Sequence, residues 1–247
     1  MINKLLKISK VLCELNFKFL IFNSIVRNQK HSKILIAKNV KISNSNIFVT
    51  KGSTLFIDKG CNIKNLNLFV NGNVSIGKNN IIDNGYCISK SSISVNGTLV
   101  IGDYNRIRST IWIRFNGKLV IGSHNNINEE SEIRCDESVT MGSYNQISYK
   151  CMIWDTNTHN IYSDEKRREL TDKFYPIFGY EYEKPKTKAI KIGDDCWIGR
   201  EAALLKGVEL KNSSIVGFRT TLSNCLIEKN KIVVSKRENL VMEREKK

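Results

Sequence analysis

Two stretches of the chain, Gly97-Thr-Leu-Val-Ile-Gly-Asp-Tyr-Asn-Arg-Ile107 and Gly117-Lys-Leu-Val-Ile-Gly-Ser-His-Asn-Asn-Ile127, follow one pattern of glycine, aliphatic residues and asparagine. Further copies, some of them weaker, share the pattern and lie at 53–63, 72–82, 137–147 and 188–198. The central glycine or aspartate recurs at positions 58, 77, 102, 122, 142 and 193, in steps of 19, 25, 20, 20 and 51. A repeat of about 20 residues is too short for a pair of helices and is typical of one coil of a β-solenoid.

Each copy also predicts the shape of a coil. Apolar and polar residues alternate over short segments, which predicts strands with one buried face. We expect glycine and asparagine to occupy corners with positive φ. One coil cannot bury its apolar edge alone, so the coils should stack into a continuous core. The composition agrees, because 32 isoleucines against only 4 alanines disfavour a helical bundle.

The late part of the chain resembles a known family. The run Cys196-Trp-Ile-Gly-Arg-Glu-Ala-Ala-Leu-Leu-Lys-Gly-Val208 is similar to the W-I-G-x-x-x-x-I-L-x-G-V segment of the hexapeptide-repeat acyltransferases. The resemblance covers roughly residues 40–226. It implies an all-β, left-handed parallel β-helix that assembles as a homotrimer. It also implies an acetyl-CoA-dependent O-acetyltransferase, with coenzyme A as co-substrate and no metal.

The repeat divides the chain into three predicted parts. Residues 36–226 are expected to form the β-helix, with a loop insertion at 163–187 that explains the step of 51. Residues 227–247 are expected to add a strand and a charged tail. Residues 1–35 are expected to form an amphipathic helical cap, because apolar residues recur at spacings of three and four as far as Val26. A basic helix on an anionic membrane surface is the alternative for this segment, which has too many charges to be a membrane span or a signal peptide.

Only one of the three histidines is placed for chemistry. His31 has no companion, and His124 occupies a corner slot that tyrosines hold in neighbouring copies, so both are expected to be structural or surface residues. His159 interrupts the repeat, in a segment that is similar to the family's D-x-D-x-H-x-I element. The histidine of that element is the general base in sugar O-acetyltransferases. The resemblance therefore implies that His159 is catalytic.

The residues around His159 are expected to contact the acceptor sugar. In an extended segment, Asp155, Asn157 and His159 point to one side, where their polar groups can fix the imidazole tautomer and bind hydroxyls. Tyr162 belongs to the same predicted acceptor site. The sequence departs from the family at Asn157 and Asn160, where aspartate and proline are common.

Coenzyme contacts are expected on the last coils. Trp197 holds a slot that is polar in earlier copies, so its indole should be exposed and should need a partner. The resemblance makes this partner coenzyme A or a cleft shared with a neighbouring chain. The residues predicted to contact the coenzyme are Trp197, Gly199, Lys206, Gly217 and Arg219.

A basic column is predicted beside the His159 coil. Arg114, Arg134 and Trp154 lie 20 residues apart and each follows an isoleucine, so they are expected to align on the outside. Stacked guanidinium groups would suit an anionic substrate. A solvated charged face is the other interpretation. The formal charge of +15 favours an acidic glycan as the acceptor.

The predicted function is acetylation of a sugar hydroxyl in a surface or capsular polysaccharide by a cytoplasmic enzyme. The alternatives are a nucleotide-sugar or small-sugar acceptor, or a non-catalytic scaffold. A zinc-dependent carbonic anhydrase is disfavoured because it needs three converging histidines. Nucleic-acid binding is disfavoured because the basic residues are dispersed and no known motif accompanies them. Seven cysteines without a C-x2-C pair indicate reduced thiols.

Overall fold

The computed structural model describes residues 20–177 and 181–236. These residues form a parallel β-solenoid of about ten turns that matches a left-handed β-helix, which confirms the predicted fold class. Each coil contributes strands to three sides, which we call the first, second and third faces in the order in which the chain meets them.

The first face is a parallel sheet of ten short strands. They are Leu20–Phe22, Lys41–Ser43, Asn62–Lys64, Ile81–Ile82, Arg106–Ile107, Asn126–Ile127, Gln146–Ile147, Trp197–Ile198, Ile215–Val216 and Ile232–Val233.

The second and third faces belong to one larger sheet, because three long strands run through both. These long strands are Leu66–Ile76, Ser91–Ile101 and Thr110–Ile121. The other strands of the second face are Ile25–Asn28, Asn46–Val49, Glu132–Cys135, Met152–Trp154, Ala203–Leu205 and Thr221–Leu222. The other strands of the third face are Lys33–Ile36, Thr54–Ile57, Ser138–Met141, Ile190–Ile192, Glu209–Leu210 and Leu226–Ile227.

The strand register confirms the repeat that the sequence predicts. Ile101 pairs with Ile76 on one side and with Ile121 on the other, and Met141 pairs with Ile192 across the insertion. All five side chains are buried in the continuous core. Burial of one such side chain contributes about 1.5–3 kcal/mol, so the stacked aliphatic columns are the main source of stability.

The central glycine of the repeat differs from the prediction, whereas Gly72 and Gly97 at the start of two copies have the expected positive φ. Gly102 does not have a positive φ, but a Cβ atom on it would lie 2.6 Å from the carbonyl oxygen of Gly122, so close stacking of the coils requires glycine there. Positive φ occurs two residues later, where Tyr104, His124 and Tyr144 have φ of 57°, 60° and 62°. The His124 ring stacks between the two tyrosines at centroid distances of 5.0 and 4.7 Å, which confirms the predicted structural column.

The recurring asparagine forms a ladder beneath the same corner. The buried side chains of Asn80, Asn105 and Asn125 each accept a hydrogen bond of 2.8 Å from the backbone N–H of the next ladder member, as far as Asn145. These bonds satisfy backbone donors that the corner would otherwise leave buried and unpaired. Stacking and hydrogen bonding therefore account for the whole repeated motif.

The predicted N-terminal helix is wrong where the structure describes it. Leu20–Phe22 and Ile25–Asn28 are strands that pair with the next coil. In the described part, Phe22 and Val26 keep a helix-like spacing of four because a corner with φ of 45° at Asn23 separates two short strands. The rest of the predicted helix, residues 1–19, lies outside the described residues.

Candidate active site

The chain leaves the solenoid at the corner between the second and third faces, in a segment that is longer than the insertion predicted at 163–187. This segment contains His159, and we call the whole of it the insertion. It starts after Met152–Trp154 and returns before Ile190–Ile192. Thr156 and Thr187 form an antiparallel bridge that closes its base. The segment before His159 is therefore held against the rigid coil.

Asp155 begins the insertion but does not face it. Its side chain is fully buried and accepts hydrogen bonds of 2.8, 2.9 and 2.7 Å from the backbone N–H groups of Asp136, Glu137 and Ser138. Burial raises the pKa of Asp155, although these hydrogen bonds act in the opposite direction. The prediction that Asp155 contacts the acceptor is wrong, because the chain turns at this corner and directs the carboxylate inward.

His159 lies on the outer side of the corner. Its side chain is 57% exposed, and its Nδ1 atom lies 3.7 Å from Oε2 of Glu181. Thr158 has φ of 65°, and the His159 N–H donates to the Asn157 carbonyl oxygen at 2.8 Å, so a tight turn presents the imidazole. A neutral imidazole with its proton on Nδ1 has a free lone pair on Nε2.

Glu181 is a buried carboxylate that no sequence pattern signals, because it lies beyond a helix and outside the repeat. It is 4% exposed and accepts hydrogen bonds of 2.6 Å from the Tyr162 hydroxyl and 2.8 Å from the Asn160 N–H. Burial alone would raise the pKa of Glu181, but these hydrogen bonds outweigh it and the pKa is lowered. The side chain is therefore a carboxylate at neutral pH.

Tyr162 supports this carboxylate. Its hydroxyl donates to Oε1 of Glu181, and this hydrogen bond raises the pKa of the Tyr162 phenol. The sequence placed Tyr162 among the acceptor contacts. In the structure its polar atom is directed at Glu181.

Asn157 and Lys206 meet at the same corner. The Lys206 ammonium donates to Oδ1 of Asn157, although the sequence assigned the two residues to different substrates. Two more lysines belong to this corner. The Lys186 carbonyl oxygen accepts from the Asn157 N–H, and the Lys188 carbonyl oxygen accepts from the Gly207 N–H, both at 3.0 Å. The ammonium group of Lys206 and the backbone of Lys186 and Lys188 therefore lie at this corner, while the Lys188 ammonium donates to Asn224.

The predicted basic column does not contain Arg114. Arg134 aligns with Trp154 as predicted, but its other neighbour is Trp112. The coil from 112 to 134 is two residues longer than the repeat, because Phe115 and Asn116 add positive-φ positions at the corner.

The guanidinium of Arg134 is stacked between two indoles. Its central carbon lies 5.0 Å from the Trp112 ring centroid and 4.4 Å from that of Trp154, and its Nε donates to Glu132. These contacts stabilise the second face. They leave little of the side chain for an anionic substrate, since only 19% of it is exposed.

Arg114 holds the turn that precedes His159. Its guanidinium donates hydrogen bonds of 2.9 and 2.6 Å to the buried carboxylate of Asp136 and one of 3.3 Å to the Thr158 carbonyl oxygen. The residue that the sequence assigned to substrate charge thus fixes the backbone beside the candidate base.

The predicted coenzyme contacts are divided between two parts of the solenoid. Trp197 lies on the first face, in register with Gln146, and is 55% exposed as predicted. Lys206 lies near His159, at the corner between the second and third faces. In a three-sided solenoid the first face is opposite the corner between the other two, so one chain alone does not bring Trp197 to His159.

The remaining predicted coenzyme contacts lie at the corner between the first and second faces. A Cβ atom on Gly199 would lie 2.8 Å from the Gly217 carbonyl carbon, so the stacking of coils already requires glycine at position 199. The Arg219 guanidinium donates to Glu201 and lies 4.8 Å from the Phe218 ring centroid.

The insertion contains a helix, Asp164–Phe174, where the sequence predicted a loop. Ser163 caps it by accepting a hydrogen bond of 3.3 Å from a backbone N–H of the first turn, and acidic residues occupy that turn. A serine followed by acidic residues is a helix-start signal that could have revealed it. No helical side chain is buried, and Phe174 stacks on Tyr182 at 3.9 Å.

Within residues 20–177 and 181–236, no group of three or more His, Cys, Asp or Glu side chains is arranged to hold a metal ion. No helix in the described part of the chain is both long and apolar enough to span a membrane.

No protein-family model matches the chain, and no curated protein matches its sequence. Among solved structures, the chain is similar to the polysialic acid O-acetyltransferase OatWY, at 19% identity and a TM-score of 0.45 over 91% of this chain and 93% of that chain. It is similar to the polySia specific acetyltransferase NeuO, at 18% identity and a TM-score of 0.41 over 87% and 80% of the two chains. It is also similar to LpxA from Acinetobacter baumannii, at 14% identity and a TM-score of 0.40 over 88% and 71%.

Proposed function

We propose that this chain is an acetyltransferase that moves an acetyl group from acetyl-CoA to a sugar hydroxyl in a surface or capsular polysaccharide. The observation that carries the proposal is an exposed imidazole, His159, that faces the buried Glu181 carboxylate where the repeat is interrupted. An imidazole in this setting suits general-base chemistry on a hydroxyl group. The W-I-G segment that starts at Trp197 supports acyl transfer because it resembles that of the hexapeptide-repeat acyltransferases.

In the proposed reaction, Nε2 of His159 accepts the hydroxyl proton while the sugar oxygen attacks the thioester carbon. The carbon–oxygen bond forms, the carbon–sulfur bond breaks, and the imidazolium returns the proton to the departing thiolate. Assistance of this kind accelerates a reaction by about 10²–10⁴-fold. Alignment of the two substrates in one cleft supplies much of the remaining acceleration. The reaction needs no covalent enzyme intermediate.

The proposed active unit is a homotrimer with sites between chains. Trp197 is a large exposed indole on the face opposite His159, so it can complete a His159 site only from another copy. Trp197 is in register with Gln146 on one side and Ile215 on the other, and an exposed aromatic side chain beside further apolar surface is typical of an interface. We therefore assign coenzyme contact to Trp197 of one chain beside His159 of the next.

The proposed acceptor is an acidic glycan. The Lys206 ammonium lies at the corner that carries His159, and the formal charge of the chain is +15. Both features attract an anionic polymer. Lys206 donates to Asn157 two positions from the base, which makes it the strongest candidate for an acceptor contact.

The described cysteines are all unpaired, which supports a reducing compartment such as the cytoplasm.

The decisive experiment is an assay of coenzyme A release from acetyl-CoA with a panel of acceptors. We expect acidic capsular oligosaccharides to stimulate release and neutral sugars to do so weakly. Stimulation by nucleotide sugars alone would replace the polysaccharide with a small acceptor. A folded trimer that transfers acetyl to none of them would favour a non-catalytic scaffold.

A further inference from the structure

The side chain of His159 needs a partner to fix which of its nitrogens carries the proton. It lies on a turn outside the solenoid and is 57% exposed, so packing does not restrict its ring. The carboxylate nearest in sequence, Asp155, is buried and committed to three backbone N–H groups. Any carboxylate that orients the imidazole must therefore come from elsewhere in the chain.

Glu181 is placed for this task. Its Oε2 atom lies 3.7 Å from Nδ1 of His159, slightly beyond hydrogen-bond distance. A rotation of the exposed ring toward the carboxylate would shorten this distance to that of a hydrogen bond. In enzymes without bound substrate, such hydrogen bonds are often long and shorten in the reactive complex.

The carboxylate itself is held rigidly. The Tyr162 hydroxyl donates to Oε1 at 2.6 Å, and the Asn160 N–H donates to Oε2 at 2.8 Å. The Asn160 side chain also donates to the Glu183 carbonyl oxygen at 3.1 Å, so it ties the segment of Glu181 to the segment of His159. A buried acceptor with a fixed orientation can select one tautomer of an exposed imidazole.

We propose that Glu181 is the positioning residue of His159. It accepts the Nδ1 proton and thereby keeps the Nε2 lone pair available at the outer surface of the corner. Tyr162 and Asn160 keep the carboxylate in place. The role in catalysis rests on the proposed acetyl transfer, whereas the orientation of the imidazole is a property of the protein without substrates.

The first test measures the tautomer directly by NMR of protein labelled with ¹⁵N-histidine. The chain has three histidines, and the His159 signals are assigned by their loss in His159→Ala. We expect a proton on Nδ1 in the parent protein. In Glu181→Gln the new amide can donate to Nδ1, so the proton should move to Nε2.

Glu183→Gln is the matched control, because it removes an exposed carboxylate two positions away. We expect it to leave the His159 signals unchanged, and the His124 signals serve as an internal reference in every variant. Identical His159 signals in the parent and in Glu181→Gln would overturn the proposal. If Glu181→Gln does not fold, Glu181→Asp carries the same test, because its shorter side chain retracts the carboxylate from Nδ1.

The second test measures catalysis on the acceptor identified by the panel. We expect Glu181→Gln to lower kcat by about 10–100-fold and to leave the KM for acetyl-CoA unchanged. If Glu181 acts through His159, the double variant with His159→Ala should be no less active than His159→Ala alone. A further loss in the double variant would contradict a positioning role. Absence of transfer with every acceptor would refute the proposed function and leave the NMR result standing.

Discussion

His124 and His159 are both exposed imidazoles at corners of one solenoid, yet their surroundings differ. His124 lies in the regular coils, where its ring stacks between Tyr104 and Tyr144 at 5.0 and 4.7 Å. His159 lies in the insertion, where its Nδ1 atom faces a buried carboxylate at 3.7 Å.

The difference follows from what a repeat can place next to a residue. In regular coils, the neighbours of a side chain occupy the equivalent position one coil away. Similar groups therefore stack on one another and stabilise the solenoid. An insertion brings together groups of different chemistry from distant positions, such as His159 and Glu181. In this molecule the arrangement suited to proton transfer occurs where the periodicity is interrupted.

The largest expected effect separates the two histidines. His159→Ala should lower acetyl transfer by about 10²–10⁴-fold, because it removes the proposed general base. His124→Ala should leave the rate nearly unchanged, since it removes only a ring from an exposed stack. Coenzyme A release, measured for both variants at equal protein concentration, checks this. Equal activity of His159→Ala and the parent would contradict the mechanism.

The second prediction tests whether each active site contains residues from two chains. His159→Ala and Trp197→Ala should each be nearly inactive alone. Mixed trimers of the two variants should regain about a third of the parent activity, because in either mixed composition one of the three sites pairs an intact His159 with an intact Trp197.

Co-expression of the two variants with different affinity tags, followed by tandem purification and the release assay, measures this recovery. Sedimentation should show a trimer for the parent and for both variants. No recovery from mixed trimers would mean that His159 and Trp197 do not share a site.

The third prediction concerns Asp155, which the sequence assigned to the acceptor and the structure assigns to the fold. Asp155→Ala should lower the free energy of unfolding by about 3 kcal/mol, because it leaves three buried backbone donors without their acceptor. Asp172→Ala, on the exposed helix of the insertion, should change it by less than about 0.5 kcal/mol. Urea unfolding followed by circular dichroism measures both. Unchanged stability together with a raised KM for the acceptor would restore the role inferred from sequence.

The smallest expected effect compares two basic residues near the site. Lys206→Ala should raise the KM for an acidic acceptor severalfold, and this difference should shrink as salt is added, because exposed charges are screened beyond about 10 Å at 0.1 M salt. Arg134→Ala should instead lower stability by about 1–2 kcal/mol through the loss of its contacts with two indoles. Acceptor kinetics at two salt concentrations and thermal unfolding separate these effects. A raised KM for acetyl-CoA alone in Lys206→Ala would reassign that lysine to the coenzyme.

Several site residues could be placed only from the register between neighbouring strands. This register was predictable only where the repeat length was constant. The slot of Trp197 was placed correctly because Gln146 and its predecessors hold equivalent positions on the first face. Arg114 was misplaced because Phe115 and Asn116 lengthen one corner by two residues, and the sequence alone does not show which corner absorbs them. A shift of two residues keeps the alternation of inward and outward side chains, so the pattern of apolar residues does not reveal it.

The sequence by itself determined the solenoid, the order of its coils and the position at which His159 leaves them. Those features depend on contacts between residues about 20 positions apart, and a periodic sequence predicts such contacts directly. Only the tertiary structure decided that Asp155 turns inward, that Arg114 holds the turn before His159, and that Glu181 faces its imidazole. Those contacts depend on how corners and an insertion bend, and no period relates the residues that meet there.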